Sequence, residues 1–175
     1  MIQRYSLVLC LLCVQMVLQV ACSTNSSSEP TTEAPETATA TLEDVLKDYE
    51  AMRTALAADQ LDDVPKLAAK IETSARAAQA NAATEAAQPI ADILRDVQSL
   101  KSGGEPDEVR RIFGDLSRSV VAILAANESL QTNRHVFECP MAQGYQKWVQ
   151  LSENIENPYM GSRMLQCGSP SSWTP

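Results

Sequence analysis

From Leu42 onward the apolar residues recur in helical steps. Leu42, Val45, Leu46, Tyr49, Met52 and Leu56 are three or four residues apart, a spacing that places them on one face of an α-helix. Thr41, with Asp44 three residues on, predicts its N-terminal cap. A second helix is expected from about Asp63, with Pro65 in its first turn and Val64, Leu67, Ala68, Ile71, Ala75 and Ala78 facing inward. That face is mostly alanine, which allows close approach but buries little area. Pro89 is expected to open a third helix carrying Ile90, Ile93, Leu94, Val97 and Leu100, which stops at Ser102-Gly103-Gly104. Pro106 starts a fourth, whose stripe of Val109, Ile112, Phe113, Leu116, Val120, Ile123 and Leu124 continues to about Leu130. The acidic pairs Glu43-Asp44, Asp62-Asp63 and Asp107-Glu108 fall near these predicted starts, where they complement the helix dipole. Four amphipathic helices with short connections predict a mainly α fold, an antiparallel four-helix up-and-down bundle.

After Gln131 the pattern changes. Phe137, Tyr145, Trp148, Tyr159 and Trp173 concentrate there, among the turn residues Pro140, Gly144, Asn157, Pro158, Gly161 and Gly168. Arg134–Glu138 and Tyr145–Leu151 read as the strands of a short β-hairpin with Pro140–Gly144 as the turn. A hairpin of that size needs the helices to pack against. The expected organisation is one domain over residues 41–168, with a small C-terminal lobe at 131–168 and a tail at 169–175.

Upstream of the helices the composition points to export. Arg4, the apolar run Leu7–Val20 and Ala21-Cys22 make residues 1–22 a signal peptide. Ala21-Cys22, with Leu18 upstream, resembles the bacterial lipobox, although Gln19 stands where leucine is usual; ordinary secretion with a cut elsewhere is the alternative. Lipidation at Cys22 would anchor the chain to a membrane, and Ser23 after it favours the outer membrane, with the protein facing the periplasm. Residues 23–40 are almost entirely Ser, Thr, Pro, Glu and Ala and predict a disordered tether. The chain carries 14 basic and 22 acidic residues, a formal net charge of −8, and loss of the signal removes one more positive charge. Such an acidic chain repels nucleic acid.

Removing the signal also leaves only Cys139 and Cys167 as free thiols. Every soft donor beyond residue 40 except Met52 lies between His135 and Cys167: His135, Cys139, Met141, Met160, Met164 and Cys167. Thiolate and thioether sulfur select monovalent copper or silver, whereas zinc ranks behind. Strand parity sets His135 and Cys139 on one face, and helical spacing aligns Met160, Met164 and Cys167, so the two sets could meet around one cation. The competing reading is a Cys139–Cys167 disulfide, expected first in an oxidising compartment and worth about 3 kcal/mol for a loop of this length. No catalytic residues are assigned. His135 and Cys139 resemble a nucleophile and base, but nothing marks an orienting carboxylate or an oxyanion hole.

Cys139-Pro140-Met141-Ala142, Trp148-Val149-Gln150 and Ile155-x-Asn157-Pro158-Tyr159-Met160-Gly161-x₂-Met164-Leu165-x-Cys167-Gly168 resemble the uncharacterised domain at the C-terminus of CusB-type copper/silver efflux periplasmic adaptors. The resemblance runs from Leu42 to Gly168. It implies a periplasmic domain that handles copper, silver or a related heavy metal, with Cys139, Met141, Met164 and Cys167 at the motif sulfurs. Met160 falls where relatives often carry an aromatic residue, and His135 lies just before the motif. The hairpin, lipoyl-like and barrel domains of an adaptor have no counterpart here. The resemblance therefore implies a metal-efflux component or metallochaperone, not a bridge from pump to channel.

Overall fold

The computed structural model describes residues 34–175, with side chains from residue 42 onward. The signal peptide, Cys22 and the tether up to residue 33 lie outside the described residues. Four α-helices and a small three-stranded antiparallel sheet follow in chain order: α1 Ala34–Ala57, α2 Val64–Gln79, α3 Thr84–Lys101, α4 Pro106–Ala126, β1 His135–Glu138, β2 Lys147–Gln150 and β3 Ser169–Pro170. Among the described residues no helix is long and apolar enough to cross a membrane.

The helical stripes become the core. Leu42, Val45, Leu46, Tyr49, Met52 and Leu56 of α1 are buried, with Ile71 and the alanines of α2, Ile90 to Leu100 of α3, and Phe113 to Leu124 of α4. Leu67, Leu94 and Ile112 pack at its margin. Consecutive helices are neighbours: α1 packs on α2, α2 on α3, and α3 on α4.

Three boundaries differ from the sequence expectation. The first is the start of α1, at Ala34 rather than Thr41, so Ala34–Ala40 is helix and not tether. Alanine and glutamate propagate a helix once a buried stripe has nucleated it, and Pro35 is tolerated in a first turn. Thr41 is therefore no cap, and Glu43-Asp44 sits well inside the helix, where Glu43 instead pairs with Arg134. The second is α3, which begins at Thr84 and keeps Pro89 inside it. Ala86, one turn before the proline, is buried at 2%, and its packing holds the turn that the missing N–H would otherwise weaken. The third is the segment read as a tail. Ser169–Pro170 pairs with β1, Ser171 N–H donates to Val136 O at 2.9 Å, and the Lys147 ammonium donates to the carbonyls of Ser172 and Thr174.

β1 is the central strand, in the order β2-β1-β3. Its register on β2 sets Val136 opposite Val149 and Phe137 opposite Trp148. The outer edge of β2 meets side-chain hydroxyls instead of another strand. Val149 N–H donates to the Tyr49 phenol at 3.2 Å, and the Tyr159 hydroxyl donates to Lys147 O at 2.5 Å. Alternate residues of an antiparallel strand turn their backbone groups outward, and these two residues are the ones closed. The Tyr49 hydroxyl also bonds Ser117 Oγ of α4 at 2.5 Å, so it ties α1, α4 and β2 together.

A chain of rings runs through the same seam. Tyr49 stacks on Phe113 with centroids 5.3 Å apart, Phe113 meets Tyr159 at 5.9 Å, Tyr159 meets Trp148 edge-on at 5.8 Å, and Trp148 meets Phe137 at 5.7 Å. Replacing Tyr49 by phenylalanine keeps the stacking but leaves Val149 N–H buried without an acceptor. Tyr49→Phe is expected to lose about 1–3 kcal/mol of stability, read as a lower urea midpoint with an unchanged slope.

Candidate thiol and thioether site

Two buried side chains wind the loop after β2 into shape. Gln150 accepts from Trp148 Nε1 at 2.8 Å and from Glu156 N–H, and its amide donates to the carbonyls of Ser152 and Asn154. Asn157, with no exposed surface, accepts from the N–H groups of Tyr159 and Met160 and donates through Nδ2 to Cys167 O at 2.5 Å. An asparagine bonded to the backbone two residues on makes an Asx turn. Here the same side chain also fixes the backbone of Cys167.

Two arginines from the helices dock this loop. Arg53, 2% exposed, pairs with Glu50 and donates to Glu156 O at 3.0 Å and to the Glu156 carboxylate. Arg110 donates to Leu56 O, Pro158 O and Asp59 Oδ1, and Asp59 in turn accepts from the N–H and hydroxyl of Ser162. The Ser162 bonds, with the Arg110 charge as a smaller contribution, hold the Asp59 carboxyl below its usual range.

The thiols meet at the base of this arrangement. Cys139 follows β1, is fully buried, and donates its N–H to Gln146 O at 3.0 Å. Cys167 is half-buried at the end of a turn in which its N–H donates to Met164 O at 2.9 Å. The two Sγ atoms are 3.5 Å apart and both cysteines are free. Gly168 makes the approach possible: its φ is +154°, and a Cβ there would lie 2.8 Å from the Trp148 ring and 3.0 Å from Glu138 O. The hydrogen bond with Cys139, then burial, pushes the Cys167 thiol above its ordinary value.

The other sulfurs sit in more open surroundings than Cys139. Met141, 55% exposed, and Met160 line a pocket of about 260 Å³ between α4 and the lobe, together with Arg110, Arg111, Tyr159 and Arg163. Met164 is exposed on the 3₁₀ turn Gly161–Met164, so the expected helical face of Met160, Met164 and Cys167 is one short turn. His135 shares a strand face with Cys139 but lies about 13 Å away along an extended chain. It faces a separate groove with Trp173 and Glu153. Parity sets the side of a strand, not the distance along it, and His135 does not converge with Cys139. Among the described residues no three His, Cys, Asp or Glu side chains come together as a metal site.

The residues that position the thiols escaped the sequence reading in different ways. Asn157-Pro158 signalled a turn, but not that the amide would reach Cys167. Arg53 and Arg110 carried a clearer signal, because each falls beside the apolar stripe of its helix, four residues after Tyr49 and three before Phe113.

A family model described as Protein of unknown function (DUF3347) matches residues 45–132, half of the chain. The chain belongs to this family. The DUF3347 match begins in α1 and ends just before β1, so it takes in the helices and leaves out the strands, both cysteines and the motifs from Cys139 to Gly168. No curated protein and no solved structure matches the chain.

Two outcomes follow from the geometry. Alkylation of Cys167 should rise with pH later than that of an ordinary thiol, since a raised pKa leaves less thiolate at any given pH. In Cys139→Ala, which removes the main cause, the rate-against-pH curve should move to lower pH. Asn157→Ala should cost about 2 kcal/mol or more by orphaning buried backbone groups, with faster alkylation of Cys139 as the lobe loosens; denaturant melts and thiol labelling measure both.

Proposed function

We propose that the chain is a soft-metal-binding protein of the cell envelope, taking monovalent copper or silver for sequestration or for delivery to an efflux component or metallochaperone. The observation that carries this reading is the free pair Cys139 and Cys167, with Sγ atoms 3.5 Å apart. One ion about 2.3 Å from each sulfur would hold them about 3.8 Å apart at the tetrahedral angle of a four-coordinate site and about 4.6 Å apart in a linear two-coordinate one, so capture opens the pair by between a few tenths of an ångström and about 1 Å. Copper(I) accepts so few ligands, whereas structural zinc wants four.

Binding as thiolates releases protons, so affinity rises with pH. Met164, three residues before Cys167, and Met141, two after Cys139, are the nearest thioethers in sequence, and both are exposed. Side chains of this flexibility could swing to a captured ion and pass it on, ligand by ligand. His135 and Met160 take no part without a larger rearrangement. In this proposal the helices form an antiparallel up-and-down bundle serving as scaffold. Lipid carried on Cys22 anchors the chain at the outer membrane, facing the periplasm.

A second reading rests on the same pair. Cys139 is fully buried, and among the described residues no third strong ligand stands beside it, which suits a disulfide stapling the lobe of a non-metal helical interaction module.

Titration of the reduced chain with monovalent copper against a competing chelator separates the two. One ion should bind more tightly than about micromolar, near −8 kcal/mol, with binding lost in Cys139→Ser and weakened in Met164→Leu. Equal binding by wild type and Cys139→Ser would refute the metal reading. A count of free thiols on protein taken from the envelope reports the staple directly.

A further inference from the structure

We propose that the pocket between α4 and the C-terminal lobe binds a small organic oxyanion, a phosphate or carboxylate, on Arg110 and Arg163, independently of the thiol pair. In an acidic chain with 14 basic residues in all, three arginines line this one cavity of about 260 Å³. That volume holds a small molecule and excludes a folded partner.

The two guanidiniums from opposite walls act on each other. Burial, with the Arg163 charge adding to it, lowers Arg110 from its ordinary value, while Asp59 and Asp107 work the other way. Bringing like charges together costs free energy unless an anion sits between them. The neighbouring carboxylates are committed to two of the three arginines. Asp59 is held by Arg110 and Ser162, and Glu108 and Asp115 hold Arg111. Asp107 is the one carboxylate in the lining, and with Arg110 paired to Asp59 and Arg111 to Glu108 and Asp115, the attraction for an anion rests on Arg163 and on the unused donors of Arg110.

Donors remain for a ligand. Arg110 spends both Nη1 hydrogens on the carbonyls of Leu56 and Pro158 and one Nη2 hydrogen on Asp59. Its Nε–H and second Nη2–H have no acceptor among the described residues, and a guanidinium fork of this kind matches the paired oxygens of phosphate or carboxylate. Arg163 forms no ion pair among the described residues. Met141 and Met160 supply an apolar wall, which favours an anion bearing a short hydrocarbon part over a bare inorganic ion.

The test is calorimetric titration of the metal-free chain with inorganic phosphate, phenyl phosphate and succinate. Saturable binding is expected, with phenyl phosphate tighter than inorganic phosphate; the ranking of the phosphates against succinate tells the two anion classes apart. Arg163→Gln should weaken binding at least about tenfold, the factor carried by one charge-assisted hydrogen bond. Arg118→Gln, at an arginine stacked on Tyr145 outside the pocket, should leave it unchanged, as should Cys139→Ser. No saturable binding of any probe by about 20 mM, a free energy near −2 kcal/mol, would overturn the proposal. So would equal binding by Arg163→Gln, or loss of binding in Cys139→Ser. Because no copper is present, failure of the soft-metal reading leaves this result untouched.

Discussion

The seam where α1 and α4 face the sheet, filled by Tyr49, Phe113, Tyr159, Trp148 and Phe137, is the interaction on which the rest depends. The strands of four and two residues are too short to stand alone in water, and the rings give them an apolar mass to rest on. Each ring contact lies in the range where offset or edge-on geometry adds to area burial. The helices need the lobe in return. Arg53 and Arg110 are almost fully buried, and part of what satisfies their charge is lobe backbone, the carbonyls of Glu156 and Pro158. Without the lobe Arg53 would keep Glu50, and Arg110 would keep Leu56 O and Asp59, but each would lose a carbonyl acceptor in a place where desolvation is costly.

The thiol pair is a by-product of that docking. Cys139 is fixed because it continues a central strand; Cys167 is brought to it by a loop held at Gln150 and Asn157 and folded tightly over Trp148 at Gly168. None of these groups is itself a soft donor. The chemistry of the pair is therefore governed by amides, a glycine and an indole, and the thioethers are left at the surface as adjustable partners. The arginine-lined pocket abuts the same seam and shares Tyr159 and Arg110 with it.

The sequence was most legible where periodicity speaks. The stripes of α1, α2 and α4 predicted their buried residues, and the hairpin of β1 and β2 followed from turn residues and alternation. Legibility failed where long-range packing overrode local preference: Ala86 carried α3 back through Pro89, and the helix of α1 propagated into Ala34–Ala40. It failed again for β3, because a two-residue edge strand containing proline has no pattern of its own. In the candidate site, the sequence left two thiols in one segment, and the fold sets their Sγ atoms 3.5 Å apart. Composition could not supply separation, so His135, on the expected face, lies about four strand rises from Cys139. Arg53 and Arg110 stand beside the apolar stripes of their helices, but what they bind there, and the reach of the Asn157 amide to Cys167, emerge only from the fold.

The closed edge of β2 also bears on how the molecule comes apart. With the N–H of Val149 and the C=O of Lys147 bonded to hydroxyls from a helix and a distant loop, this edge offers a poorer template for an added strand. Releasing Val149 costs the Tyr49 hydroxyl one of its two partners, the other being Ser117 of α4. Buried and bonded to Tyr49, the amide of Val149 is expected among the slowly exchanging amides of the lobe.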